Sequence, residues 1–296
     1  MPPNKGLTMN SQLLSAKNVI VQGITGTHGR FQTKAMLDAG TCVVAGITPG
    51  KAGQIVEGVP VYDSIADIQK DHTVDISVIF VPALYAKGAI IEAIEAHVPL
   101  IICITEGVPI HDMLTIKQLL KKSQSTLLGP NSPGLIMPGI NKLGIIPANM
   151  SLAGHTAIVS RSGTLTYETM AGLTARGIGQ HYVIGIGGDP IRGTGFIECL
   201  ELFESDPEVD RIILIGEIGG TDEQAAADYI ASSVTKPVYA YVAGHHAPIG
   251  VQLGHAGAIL GGVDESAASK TAALGAAGAA VATSITGLVQ QVVDGR

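Results

Sequence analysis

Apolar residues in the first half of the chain fall into short, nearly unbroken runs at Val19–Val21, Cys42–Ile47, Ile76–Val81 and Leu100–Ile104. Runs with no polar face fit strands covered on both sides, as in a parallel sheet. Between them, Phe31–Ala39, Tyr85–Ala96 and His111–Lys122 carry apolar positions at helical spacing, and Gly40 supplies a C-terminal stop after the first. The alternation lapses at GPNSPGLIMPGINKLGIIPANM, where Pro130, Pro133, Pro138 and Pro147 punctuate the chain. It resumes with a strand at Ala157–Ser160, a helix at Thr164–Arg176, a strand at Tyr182–Ile186 and a helix at Thr194–Glu204. A strand at Ile212–Gly216, a helix at Asp222–Ala231 and a strand at Val238–Val242 follow.

Strands alternating with helices imply right-handed crossovers. The pattern therefore predicts two α/β domains, residues 18–145 and 146–296, behind a loose leader at 1–17. The second domain is expected to be flavodoxin-like. Neither half shows a short repeat.

Composition supports this picture and narrows the function. The chain has 296 residues, enough for two domains, with 46% hydrophobic residues and 38 glycines to serve turns and ligand loops. A formal charge of -7 without a basic run argues against a nucleic-acid surface. Cys42, Cys103 and Cys199 are far apart and odd in number, so neither a disulfide framework nor a CxxC site is expected, and a cytoplasmic setting fits. The uncharged stretch Thr271–Val293 is rich in Ala and Gly and broken by Thr283, Ser284 and Gln290–Gln291, so no membrane span is expected.

The loop Gly23-Ile-Thr-Gly-Thr-His-Gly29 follows a strand and opens a helix, where backbone amides and the helix dipole favour a phosphate. Its spacing is GxxGxxG, not the dinucleotide GxGxxG. At the end of the second strand, where a NAD site presents an acid, stands Gly46-Ile-Thr-Pro-Gly-Lys51. Lysine there suits a phosphorylated ribose, as in NADP or coenzyme A, with a solvated lysine after a turn as the lesser alternative. GITPGKAG is too short for a P-loop, and no other triphosphate motif occurs.

In the second half, Ser160-Arg-Ser-Gly-Thr-Leu-Thr-Tyr-Glu168 places small residues at a helix start, which serves anion binding or simple capping by Ser162. Gly185-Ile-Gly-Gly-Asp189 and Gly216-Glu-Ile-Gly-Gly220 bring glycines to further strand ends, where open sheets bind ligands. His255 lies in GVQLGHAGAI with no acid between Ala247 and Val263. Gly254 and Gly257 leave its backbone free to approach a ligand and to move. Glu217 is placed either to hold the ring in one tautomer or in a structural ion pair. HxxxH and HExxH are absent and no zinc site is expected.

GITPGK, ITEGVP, GPNSPG, SRSGTLTYE, GIGGDP, IGEIGG and LGHAGAI, in this order along nearly the whole chain, resemble the α subunit of succinyl-CoA synthetase, or succinate–CoA ligase. The resemblance implies a Rossmann-like CoA-binding domain followed by a flavodoxin-like ligase domain. It implies that Thr25, Gly26, Thr27, His28, Lys51, Ile104, Thr105 and Glu106 contact CoA. It further implies that His255 is phosphorylated with Glu217 as its partner, that Tyr167 lies near the carboxylate substrate, and that Ser162, Gly163 and Thr164 start a helix facing the phosphate. The implied reaction is succinate + CoA + NTP = succinyl-CoA + NDP + phosphate, a step of the tricarboxylic acid cycle, through succinyl phosphate and a phosphohistidine. ATP or GTP with Mg²⁺ would then sit on an ATP-grasp β subunit, in a heterodimer or a dimer of heterodimers. Three positions depart from the family pattern: Ser132 stands for its usual cysteine, Ile249-Gly-Val-Gln-Leu253 lacks the usual basic residues, and Gly262-Val-Asp-Glu-Ser266 adds acids. Competing readings are a malate- or other acid-specific CoA ligase, a non-catalytic CoA-binding subunit, and an NADP oxidoreductase.

Overall fold

The computed structural model describes residues 9–248, 250, 252 and 254–295. The chain divides into two compact units, Met1–Ile145 with Ile191–Thr194, and Ile146–Pro190 with Gly195–Arg296. No helix among the described residues is long and apolar enough to cross a membrane.

The first unit runs α1 (Ser11–Leu14), β1 (Val19–Gln22), α2 (Thr27–Asp38), β2 (Val43–Ile47), β3 (Ile55–Val56), β4 (Val59–Tyr62), α3 (Ile65–Ile68) and β5 (Ile76–Ile79). It continues through α4 (Ala83–Glu95), β6 (Leu100–Cys103), α5 (Ile110–Leu120), β7 (Thr126–Leu128), β8 (Gly134–Met137) and β9 (Asn141–Gly144). The sheet order is β3-β4-β2-β1-β5-β6-β7, parallel except for β3 against β4. Counting only the parallel strands, this is the 3-2-1-4-5-6 order of Rossmann-like folds. Ile20 of β1 faces Ala45 on one side and Ser77 on the other, so the chain reverses direction across the sheet at β1. Such a switch point opens a crevice above the carboxyl ends of the central strands. β1, β5 and β6 are buried throughout, as their unbroken apolar runs require.

Three features differ from the sequence expectation. α2 begins at Thr27, inside the glycine loop, four residues earlier than the apolar spacing suggested. Residues 9–17 are not a loose leader: Met9, Leu13 and Leu14 are buried, and the Asn141 amide donates to the Leu14 and Ala16 carbonyls at 2.9 and 3.0 Å. Residues 1–8 lie outside the described residues. The Pro-rich stretch contains the antiparallel β8–β9 hairpin, in which Leu135 pairs with Leu143.

The second unit runs β10 (Ala153–Ser160), α6 (Gly163–Thr174), β11 (Gln180–Gly185), α7 (Phe196–Ser205), β12 (Arg211–Glu217), α8 (Asp222–Ser233), β13 (Val238–Ala243), α9 (Ala267–Ala276), β14 (Ala280–Val281) and α10 (Ile285–Asp294). Its strands lie in the order β11-β10-β12-β13-β14, all parallel. This is the 2-1-3-4-5 flavodoxin-like order. The uncharged stretch Thr271–Val293 resolves into most of α9, the short edge strand β14 and most of α10, each too short to span a bilayer.

Candidate active site

In the first unit a cleft of about 750 Å³ opens above β1, β2 and β5. Its walls include Gly23, Thr25, Gly26, Thr27 and His28 on one side and Phe80, Pro82 and Tyr85 on the other. Gly29 shows why glycine is required in this loop: a Cβ there would lie 2.2 Å from the Gly23 carbonyl oxygen, so only a bare backbone lets α2 start this close to β1. The N-cap Gly26 has no side chain to bond the first-turn amides of α2, which leaves them for an anion. The polar floor is internally satisfied. Gln22 donates to Glu92 at 3.0 Å and accepts from Ser77 at 2.8 Å, and Glu92 also accepts from the Ile65 amide at 2.8 Å.

Lys51 is exposed at the rim and donates to the Thr25 hydroxyl at 3.2 Å. Its turn is held by Asp63, whose carboxylate accepts from the amides of Gly50, Lys51 and Ala52 at 2.7, 3.2 and 3.2 Å. Ile104, Thr105 and Glu106 follow β6, and Thr105 reaches the cleft wall by donating to the Val81 carbonyl at 2.6 Å.

In the second unit the carboxyl ends of β10, β11 and β12 converge on His255. Nδ1 of His255 lies 2.8 Å from Oε2 of Glu217, the last residue of β12. A carboxylate only accepts, so Nδ1 carries the proton and the Nε2 lone pair is left for chemistry. The ring is half-buried, while the Glu217 side chain is only 8% exposed. The hydrogen bond to Glu217 holds the His255 pKa above its ordinary value; burial and Arg161 oppose the rise, and Asp189 adds to it.

The ring rests on glycine. A Cβ on Gly188 would lie 2.2 Å from His255 Cγ. The Gly257 amide donates to the Gly188 carbonyl at 3.0 Å, and Gly219, at φ +86°, has no room for a side chain because the Gly257 carbonyl would lie 2.0 Å from its Cβ. Three glycines on three loops thus seat the histidine backbone and ring against the strand ends.

Among the described residues, no group of three or more His, Cys, Asp or Glu side chains is placed to hold a metal ion. Family models match a CoA binding domain over residues 15–107 and a CoA-ligase domain over residues 159–280. The α subunit 1 of succinate–CoA ligase [ADP-forming] from Archaeoglobus fulgidus is 49% identical over 274 residues, 93% of this chain and 94% of that protein. The corresponding α subunit from Methanothermobacter thermautotrophicus is 50% identical over 273 residues, 92% of each chain. The chain belongs to the succinate–CoA ligase α-subunit family.

Among solved structures, an ATP citrate lyase from Methanosaeta concilii in complex with citryl-CoA is similar at a TM-score of 0.85 and 26% identity. The match covers 94% of this chain and 50% of that one, so this chain spans half the length of that enzyme. In this succinate–CoA ligase family member the first unit is the CoA-binding domain, and Thr25, Gly26, Thr27 and His28 line its cleft. In the second unit Ser162 caps α6 by accepting from the Leu165 amide at 3.4 Å, and Gly163 and Thr164 form its first turn. Tyr167, one turn further, is half-buried, and burial pushes its hydroxyl up to about 12, so it stays a donor at neutral pH.

Sequence reasoning missed Arg161, Glu223 and Lys270, which are buried beneath Glu217. Arg161 Nε pairs with Glu217 Oε1 at 3.2 Å and its Nη1 with Glu223 Oε1 at 3.1 Å; Lys270 pairs with Glu223. A lone lysine in the Ala-rich AASKTAALG was the available signal, because an isolated charge in an apolar helix calls for a buried partner.

Proposed function

We propose that the chain is the α subunit of a nucleoside-diphosphate-forming succinate–CoA ligase and that His255 carries the phosphoryl group between two half-reactions. In the first, inorganic phosphate attacks the thioester carbon of succinyl-CoA, CoA leaves as the thiol, and succinyl phosphate forms. Nε2 of His255 then attacks the phosphorus, and succinate leaves as the carboxylate. In the second, the terminal oxygen of a nucleoside diphosphate takes the phosphoryl group and Nε2 regains its lone pair. Ring nitrogen suits this carrier role because its bond to phosphorus is made and broken readily.

Each residue contributes a separable part. Glu217 accepts a hydrogen bond from the Nδ1–H, which fixes the tautomer and stabilises the ring while Nε2 is substituted. The amides of Gly163 and Thr164, at the positive end of α6 that Ser162 caps, receive the phosphate. Tyr167, protonated throughout the neutral range, donates to the substrate carboxylate. In the CoA-binding domain the open first turn of α2 holds the pyrophosphate, and Lys51 with Thr25 holds the ribose phosphate, with Ile104, Thr105 and Glu106 along the rest of the CoA chain. The nucleotide and its Mg²⁺ belong to an ATP-grasp β subunit, which would supply the terminal phosphoryl group in the direction of thioester synthesis.

The observation that carries this reading is the 2.8 Å contact that leaves Nε2 as the free nitrogen of a glycine-seated histidine. The test is to mix the chain with its β subunit, labelled ATP and Mg²⁺, and to look for acid-labile, base-stable label. His255→Asn is expected to carry none, and label retained on that variant overturns the reading. Succinate is expected to outpace malate and citrate in thioester formation; a preference for either replaces succinate as the substrate.

A further inference from the structure

Glu217 stands on a second layer of charge that the phosphoryl-transfer scheme does not use. Lys270, on α9, and Glu223, in the first turn of α8, are both fully buried. The Lys270 ammonium donates to the carbonyls of Glu217 and Gly219 at 2.8 and 2.7 Å and to Oε2 of Glu223. Three acceptors around one nitrogen match the three N–H bonds of the charged form; a neutral amine would turn its lone pair towards an oxygen. Oε1 of Glu223 accepts from Arg161 Nη1 at 3.1 Å and from the Glu217 amide at 3.2 Å. Arg161 Nη1 also donates to the Gly219 carbonyl at 3.0 Å. The turn from Glu217 to Gly219 is therefore gripped from below by three side chains, and it touches the Gly257 carbonyl above.

Stability alone is a poor reason for such a cluster. Desolvating buried charges costs about as much as their attraction returns, and apolar substitutes of similar volume are often as stable or more so. A second role is suggested by the sum of the charges. Arg161 and Lys270 contribute two positive charges, Glu217 and Glu223 two negative ones, and the cluster is neutral. A lone carboxylate on Nδ1 would draw a proton onto Nε2 and remove the lone pair that accepts phosphorus.

Resting on the reading of His255 as the phosphoryl acceptor, we propose that Glu223 and Lys270 are positioning residues. Through Arg161 and the 217–219 turn they aim the Glu217 carboxylate at Nδ1, and their paired charges keep that carboxylate from converting the ring to an imidazolium. The other charged groups at this site are Arg161 and Asp189 facing His255, and Asp222 near Lys270.

The test is a titration of His255 by NMR in the full chain carrying labelled histidine, with His255→Asn used to assign the signal. Lys270→Met leaves the cluster at one negative charge, and the His255 midpoint is expected to rise. Glu223→Gln leaves one positive charge, and the midpoint is expected to fall. The double variant restores neutrality and should return close to wild type, while Lys270→Arg should stay there. Each single shift should be on the order of one pH unit, for charges several ångströms away at an effective dielectric of about 20.

A scaffold that merely loosened would release Glu217 and lower the midpoint in every variant. A fall, or no change, in Lys270→Met overturns the proposal. Should Lys270→Met not fold, the upward step from Glu223→Gln to the double variant carries the same sign. Loss of the fold in all of them assigns the cluster to stability and overturns the proposal as well. With the β subunit, phosphorylation of Lys270→Met should be slow at neutral pH and recover as the pH is raised. If wild type takes no label, the phosphohistidine reading fails while the titration still decides the electrostatic role.

Discussion

Gly188→Ala is the smallest change that separates the seat of His255 from its chemistry. Gly188 is not in the left-handed region, so alanine brings no backbone strain there, and its whole effect is the new methyl group. That methyl would lie 2.2 Å from Cγ, 2.3 Å from Nδ1 and 2.6 Å from Cβ of His255. Relaxed carbon contacts begin near ~3.5 Å, so the ring must retreat by about 1.3 Å. Between the 2.8 Å contact to Glu217 and the usual ~3.5 Å limit only ~0.7 Å is available, and the hydrogen bond is lost. A hydrogen bond to a charged group contributes about 1.5–3 kcal/mol, which corresponds to roughly 10- to 150-fold in rate. Rapid-quench measurement of label entering His255 in the assembled enzyme reads this directly. The unfolding temperature of the variant should fall by a few degrees in mild acid, where the His255–Glu217 pair adds stability, and stay close to wild type at alkaline pH. A Gly188→Ala enzyme phosphorylated within twofold of wild type would refute the argument that the glycine seat aligns the ring.

Two further outcomes test other parts of the site. Because Glu217 raises the folded-state pKa of His255, its stabilisation is fully present below the unfolded value of about 6.5 and is lost as pH rises through the folded value. In urea unfolding, the deficit of Glu217→Gln against wild type should therefore be largest in mild acid and shrink towards alkaline pH; a deficit that grows with pH contradicts the assigned pairing. For the CoA cleft, Lys51→Met should weaken CoA binding by about tenfold at low salt and leave 3′-dephospho-CoA nearly unchanged, since one charge-assisted contact is lost. Calorimetry showing equal losses for both ligands would place Lys51 outside the phosphate site.

The parallel strands were legible because both of their faces are covered, which forces the apolar runs that mark them. The pieces that escaped are short and turn-rich. In IVEGVPVY the hairpin β3–β4 turns through Glu57 and Gly58, both at positive φ (52° and 81°), the two-residue turn that fits strand twist. Two β-branched runs two residues apart were the sequence sign of it. The β8–β9 hairpin was masked by Pro133 and Pro138, which punctuate a chain whether or not strands lie between them. The packing of Leu13 and Leu14 had no sign in a four-residue helix too short to show a period.

The candidate site divides along a similar line. His255 and Glu217 sit beside glycines at strand ends, so local motifs mark both of them. Arg161, Glu223 and Lys270 look ordinary in their own surroundings: an arginine in a helix-entry loop, an acid in a first turn where acids suit the dipole, and a lysine on an Ala-rich helix. Each becomes unusual only when the sheet places all three under one turn, separated in sequence by 62 and 47 residues. Balance among charges that far apart is a property of the folded sheet and not of any short motif. On the proposed role, a mutation that changes one of the three should be read against the other two, since their summed charge is what offsets that of Glu217.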